Sequence, residues 1–111
     1  MLLIDENKNI QVSQYDTFSI RFRFSNYKLT NADKVVFAIK KTTNSTEVVY
    51  SDTFYNPDNN FVDVVVPKRA LDALEPGSYI YDLAIINDQT EQILTCFFTK
   101  SFIIKGVAHN V

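Results

Sequence analysis

Glycine and cysteine are scarce in this chain of 111 residues, with two of the first and one of the second. A single cysteine, Cys96, excludes an intrachain disulfide and a zinc site built from cysteine pairs. Gly77 and Gly106 stand alone, which excludes the glycine-rich loops that cradle phosphates. There is no tryptophan and one histidine, His109, close to the C-terminus. A general base must be held in place to work, so His109 reads as a solvated terminal residue. Basic residues are scattered and the net charge is -2, so the basic stripe of a nucleic-acid binder is missing. No run approaches the roughly 20 apolar residues of a membrane span. The opening Met1-Leu2-Leu3-Ile4-Asp5-Glu6 lacks the basic start and long apolar run of a signal peptide. Synthesis in a reducing cytoplasm is therefore expected, with neither nucleic acid nor membrane as a partner.

What the chain does have is nine Phe, six Tyr and many Val and Ile. Aromatic and β-branched residues suit a pleated, half-buried surface. From Thr17 to Ser25 the alternation is strict: Phe18, Ile20, Phe22 and Phe24 take one face, while Ser19, Arg21 and Arg23 take the other. Val35, Phe37 and Ile39 begin a second strand, apolar enough for burial on both faces. Glu47–Tyr55 and Phe61–Val66 follow, separated by the turn cluster Asn56-Pro57-Asp58-Asn59-Asn60. Asn44-Ser45-Thr46 matches a glycosylation sequon and reads here as part of a turn.

Pro67 opens the one helical candidate, which spaces Leu71 and Leu74 three apart and ends at Gly77. It is expected to carry the chain from one sheet to the other. Gly77–Asn87 and Gln92–Lys105 then pair around the turn Asn87-Asp88-Gln89-Thr90, with a bulge expected near Thr99–Ser101. With Leu2–Ile4 and Ile10–Val12 the count is seven or eight strands. The expected fold is all-β, an antiparallel two-sheet sandwich of immunoglobulin-like type with one short helical crossover. Residues 1–111 form one domain, with a flexible tail expected over 106–111.

No constellation of base, nucleophile and orienting group emerges, so no enzyme and no cofactor are expected. Cys96 lies mid-strand, where cysteines are usually inert packing. Asp63, Asp72, Glu75, Asp82, Asp88 and Glu91 lack calcium-loop spacing and read as solvated acids. Arg21 and Arg23 would pair with acids on a neighbouring strand or with a partner protein, the cross-strand pairing being the stronger expectation. Tyr27, Tyr50 and Tyr55 complete the candidate interface residues, as aromatics that could bury against a partner or stack on sugars.

The stretch Leu74-Glu75-Pro76-Gly77-Ser78-Tyr79-Ile80-Tyr81-Asp82-Leu83 resembles the L-x-P-G-x-Y-x-Y-D-L segment of small β-sandwich proteins of phage tails and baseplates. These include the N-terminal domain of the baseplate upper protein type. Gln14-Tyr15-Asp16-Thr17-Phe18-Ser19-Ile20 is similar to their early x-G-D-T-F-x-[LI] strand, with Tyr15 in place of glycine. Phe102-Ile103-Ile104-Lys105-Gly106 resembles their closing strand. The resemblance implies a structural corner at Leu74, Pro76, Gly77 and Tyr79, like that of fibronectin-like sandwiches. It also implies a non-enzymatic virion part, made in the host cytoplasm, that docks on other virion proteins and on copies of itself. A carbohydrate-binding module is the alternative expectation.

Overall fold

Alternation sets the strands, and burial follows it residue by residue. The computed structural model describes residues 2–42, 44, 46–67, 70–71, 73–107, with the side chains of 97–99 left aside. Eight strands run in order: β1 (Leu3–Ile4), β2 (Ile10–Ser13), β3 (Phe18–Arg23), β4 (Asp33–Lys40), β5 (Val48–Phe54), β6 (Phe61–Val66), β7 (Gly77–Asn87) and β8 (Ile93–Lys105). They form a six-stranded sheet, β1-β2-β8-β7-β4-β5, and a two-stranded one, β3-β6. The fold is all-β and sandwich-like. Among the described residues no helix is long and apolar enough to cross a membrane.

The expectation of a purely antiparallel sandwich is corrected at one ladder. β2 runs parallel to β8, pairing Ile10 with Phe102 and Val12 with Ile104, so the large sheet is mixed. Side-chain alternation reports which face a residue takes and carries no information on strand direction. The expected break in β8 is found, displaced toward the N-terminus. Register shifts occur between the pairs Tyr81–Lys100, Leu83–Phe97 and Ala84–Thr95, so β8 carries extra residues on both sides of Phe97.

The core lies between the sheets. β3 sends in Phe18, Ile20 and Phe22, β6 sends Val62, Val64 and Val66, and β4 and β7 answer with Val35, Phe37, Ile39, Tyr81, Leu83 and Ile85. Tyr81 is 1% exposed, and its ring lies 5.3 Å from Phe37, 6.3 Å from Phe102 and 6.5 Å from Phe22. Such tilted and edge-on pairs match the positive rim of one ring to the negative face of the next. The Tyr81 hydroxyl donates to the Lys8 carbonyl, which satisfies a polar group that burial would otherwise strand.

The connection from β6 to β7 passes from the small sheet to the large one. The helical expectation falls partly on residues 68, 69 and 72, which lie outside the described ones. Around them, the Ala70 N–H donates to the Pro67 carbonyl and the Leu74 N–H to the Leu71 carbonyl, both at 3.1 Å. Leu71 and Leu74 are buried beneath it. The Tyr79 hydroxyl then donates to the Glu75 carbonyl at 2.7 Å and ties the entry of β7 to this connection. Gly77 opens β7 at φ +153°, a backbone conformation that side-chain-bearing residues rarely adopt.

Two measurements check this core. In a denaturant titration, Phe102→Ala should cost about 3–5 kcal/mol through the cavity it opens beside Phe18, Phe37 and Tyr81. Tyr81→Phe should cost about 1–2 kcal/mol, because it keeps the ring and removes only the donor to Lys8.

Candidate functional site

The sequence-predicted interface residues fall on separate parts of the surface. Arg21 and Arg23 project from the outward face of β3. Arg21 sits in register with Asp63 of β6, and its Nε and Nη2 donate to the two carboxylate oxygens at 2.8 and 3.1 Å. Its guanidinium also covers the Phe61 ring at 4.1 Å, with Arg23 over the same ring at 5.7 Å. The hydrogen bonds from Arg21 hold the Asp63 carboxyl below its usual range. The cross-strand pairing expected for Arg21 is therefore found. It sets an ion pair over the Phe61 ring on the outer face of the small sheet, beside Arg23 and the exposed Val65.

Tyr27 belongs to a different structure. Its hydroxyl donates to Asp33 Oδ2 at 2.8 Å, as do the Thr30 N–H at 2.8 Å and the Thr30 hydroxyl at 3.1 Å. Asn87 Nδ2 donates to Asp33 Oδ1 at 2.9 Å. Burial alone would raise the pKa of Asp33, which is 2% exposed, but these bonds outweigh it and hold the carboxyl below its ordinary value. Asp33 thus pins the β3–β4 loop to the end of β7. Sequence reasoning missed it, because nothing in the alternation marks a buried acid at the first position of a strand. A cleft of about 390 Å³ opens beside it, edged by Tyr27, Gln92, Ile93 and Leu94.

Tyr50 and Tyr55 lie at the opposite edge of the large sheet, on and just after β5. The Tyr50 ring is half-buried against the core, and its hydroxyl is 3.4 Å from Asp52. Tyr55 is 64% exposed. β5 is an edge strand. Asp52 aligns with Phe37, on the core side of the sheet, and a charge placed there discourages another strand from adding to the edge.

Cys96 is half-buried, and burial pushes its thiol up, away from the reactive thiolate. His109 lies outside the described residues. Among the described residues no group of three or more His, Cys, Asp or Glu is placed to hold a metal ion.

A feature not singled out in the sequence is the outward face of the six-stranded sheet. Register places Val36 beside Ala84 and Thr53, Ala38 beside Asp82 and Ser51, Lys40 beside Ile80, and Ile103 between Ser78 and Gln11. Ile86 extends the row next to Lys34. A sheet face open to water normally carries polar residues at these positions. Here the centre is Val36, Ala38, Ile80, Ala84, Ile86 and Ile103, with Ser, Thr and Lys toward the margin. Asp82 is the acid in the middle. Burial raises its pKa, and the nearby charge of Lys40 works against that rise. The signal was present in the sequence as strands apolar on both sides, which reads as double burial.

Replacing Asp33 tests the pin. Asp33→Ala should cost about 2–4 kcal/mol by stranding its buried donors. A carboxylate whose folded pKa lies below the unfolded value of about 3.9 contributes fully above that value. The contribution is lost as pH falls through the folded pKa. Asp33→Asn should therefore be less stable than the parent at pH 7, and the gap should close below about pH 4 in thermal melts. Comparison of the chain with protein-family models and with curated protein sequences gives no match.

Proposed function

We propose that the chain is a non-enzymatic assembly domain, a structural part of a phage or prophage virion in the tail, baseplate or head appendage. It works by docking on other virion proteins and on itself, and it is made in the cytoplasm of the bacterial host. The observation that carries the docking is the outward face of the six-stranded sheet, whose centre holds Val36, Ala38, Ile80, Ala84, Ile86 and Ile103 around Asp82 where a solvated face would be mostly polar. Phage membership rests on the resemblance of residues 74–83, 14–20 and 102–106. The departure at Tyr15 is smaller than it looks. Tyr15 holds φ 69°, the left-handed conformation that a glycine at the matching position would take freely.

An immunoglobulin-like topology is part of the proposal. In its support, β2-β8-β7-β4-β5 form one sheet whose first and second members run parallel, facing the pair β3-β6. The Tyr79 hydroxyl bonded to Glu75, near the start of β7, matches the tyrosine corner of such sandwiches. The i to i+3 bonds at Ala70 and Leu74 favour a short helical turn in the Pro67–Gly77 crossover.

A carbohydrate-binding module built on Tyr27, Tyr50 and Tyr55 draws less support. The first is tied to Asp33, the second is packed on the core, and Tyr27 lies apart from the other two. Particles purified from the strain that encodes the chain provide the test. The chain should appear by mass spectrometry at a fixed ratio to the tail proteins. Its absence from particles, together with retention on a glycan array, would overturn the virion reading.

A further inference from the structure

We propose that the outward face of the six-stranded sheet packs against the same face of a second copy of this chain. The result is a two-fold dimer in which Asp82 of each chain meets Lys40 of the other. This rests on the reading of the chain as a docking domain and names its partner.

The two outer surfaces of the sandwich differ in kind. The small sheet presents Arg21 locked to Asp63 over Phe61, with Arg23 above the same ring and Val65 beside them. The large sheet presents Val36, Ile80, Ala84, Ile86 and Ile103, with a carboxylate and an amine that neighbour each other diagonally across β4 and β7. Ala38 and Ala84 keep the middle of this face low, so a second sheet can approach closely.

The charge pattern is complementary to itself. Asp82 aligns with Ala38, and Lys40 aligns with Ile80, so the four residues form a small quadrilateral. Strands stand about 4.8 Å apart and alternate residues about 6.7 Å apart, so its two diagonals cross steeply. A two-fold axis lying in the interface along the Ala38–Ile80 diagonal exchanges the other two corners. Each Asp82 then faces a Lys40 of the second copy, twice per dimer. Ala38 and Ile80 meet their own counterparts on the axis, as an isologous interface requires.

The available area is sufficient. Four strands spaced by about 4.8 Å and eight residues long cover roughly 500 Å² per copy, or about 1,000 Å² in total. That is the size at which specific interfaces begin. Addition of a second copy along the β5 edge is the competing geometry, and the core-side charge of Asp52 disfavours it.

Sedimentation equilibrium on the full chain, across micromolar to high micromolar concentrations, tests the assignment. The parent should show a concentration-dependent dimer. D82K and K40D should each raise the dissociation constant by about tenfold or more, since each sets like charges opposite one another twice. Mixing the two variants should restore dimerisation, because in the mixed dimer each introduced charge meets its opposite and the remaining Asp82 meets the remaining Lys40. A84R should abolish the dimer, with near-ultraviolet circular dichroism confirming an intact core. K40D and the mixing arm keep the test readable if A84R does not fold. A parent that stays monomeric, a dimer indifferent to D82K and K40D, or a mixture that does not recover would each overturn the proposal. A monomer found in virions would remove the dimer and leave the virion reading intact, whereas a dimer missing from particles would do the reverse.

Discussion

Two strands have to cover six, and rings make that coverage work. Phe18 and Phe22 stand on the narrow sheet and reach Phe102 and Tyr81 on the wide one, at centroid distances of 5.9 and 6.5 Å. Phe37 closes the group from β4, 6.4 Å from Phe102. Smaller side chains on β3 would leave the middle of the wide sheet uncovered or draw the layers together at the cost of β4 and β7 packing. The arrangement also fixes register. A slip of one residue along β3 would turn Phe18, Ile20 and Phe22 to water and Ser19, Arg21 and Arg23 to the core. The ion pair between Arg21 and Asp63 forms only in the register that buries the rings, so the outer and inner faces of the small sheet favour the same alignment.

Most of this was legible in the sequence because strand position and strand face are written in local alternation. Phe61–Val66 and Gly77–Asn87 coincide with β6 and β7 end to end, and the Asn-rich turn at 56–60 falls between β5 and β6. Three things were not legible, each for a physical reason. The parallel pairing of β2 with β8 depends on the path of the whole chain. The role of Asp33 depends on Tyr27, Thr30 and Asn87 converging from three segments. That Val36, Ile80 and Ile86 lie half-buried on the outward face, with no second layer over them among the described residues, depends on how the two sheets are arranged, which no single strand records. Double-sided apolar character indicates a covered face without saying what covers it.

The scarcity of glycine leaves its mark on the turns. Lys8, Tyr15, Asn26, Asp58 and Glu91 take positive φ without being glycine. Carboxylates and amides support several of these bends. Asp5 Oδ1 accepts the N–H groups of Asn7 and Asn9, both at 2.9 Å, around the bend at Lys8. Asn87 Oδ1 accepts those of Gln89 and Thr90 at 3.0 and 2.9 Å, ahead of Glu91. Asn59 Nδ2 donates to Asn56 Oδ1 at 3.0 Å beside Asp58. The strain of a left-handed residue is small against two or three fixed hydrogen bonds, so these loops are held by side chains where another protein would rely on backbone freedom.

The parallel ladder between β2 and β8 has a consequence for the order of events during synthesis. Ile10 and Val12 reach their partners, Phe102 and Ile104, only after nearly the whole chain has emerged. The hairpins β1–β2 and β4–β5 can close earlier from neighbouring sequence, yet the other edge of β2 must wait for the last strand to arrive beside it. Pairings between such distant segments are entropically slow to close and place the chain among slow-folding topologies. Until then the β1–β2 hairpin offers the unpaired edge of β2 to any passing chain, so the nascent protein is exposed to misassembly at one strand for a reason located about ninety residues later.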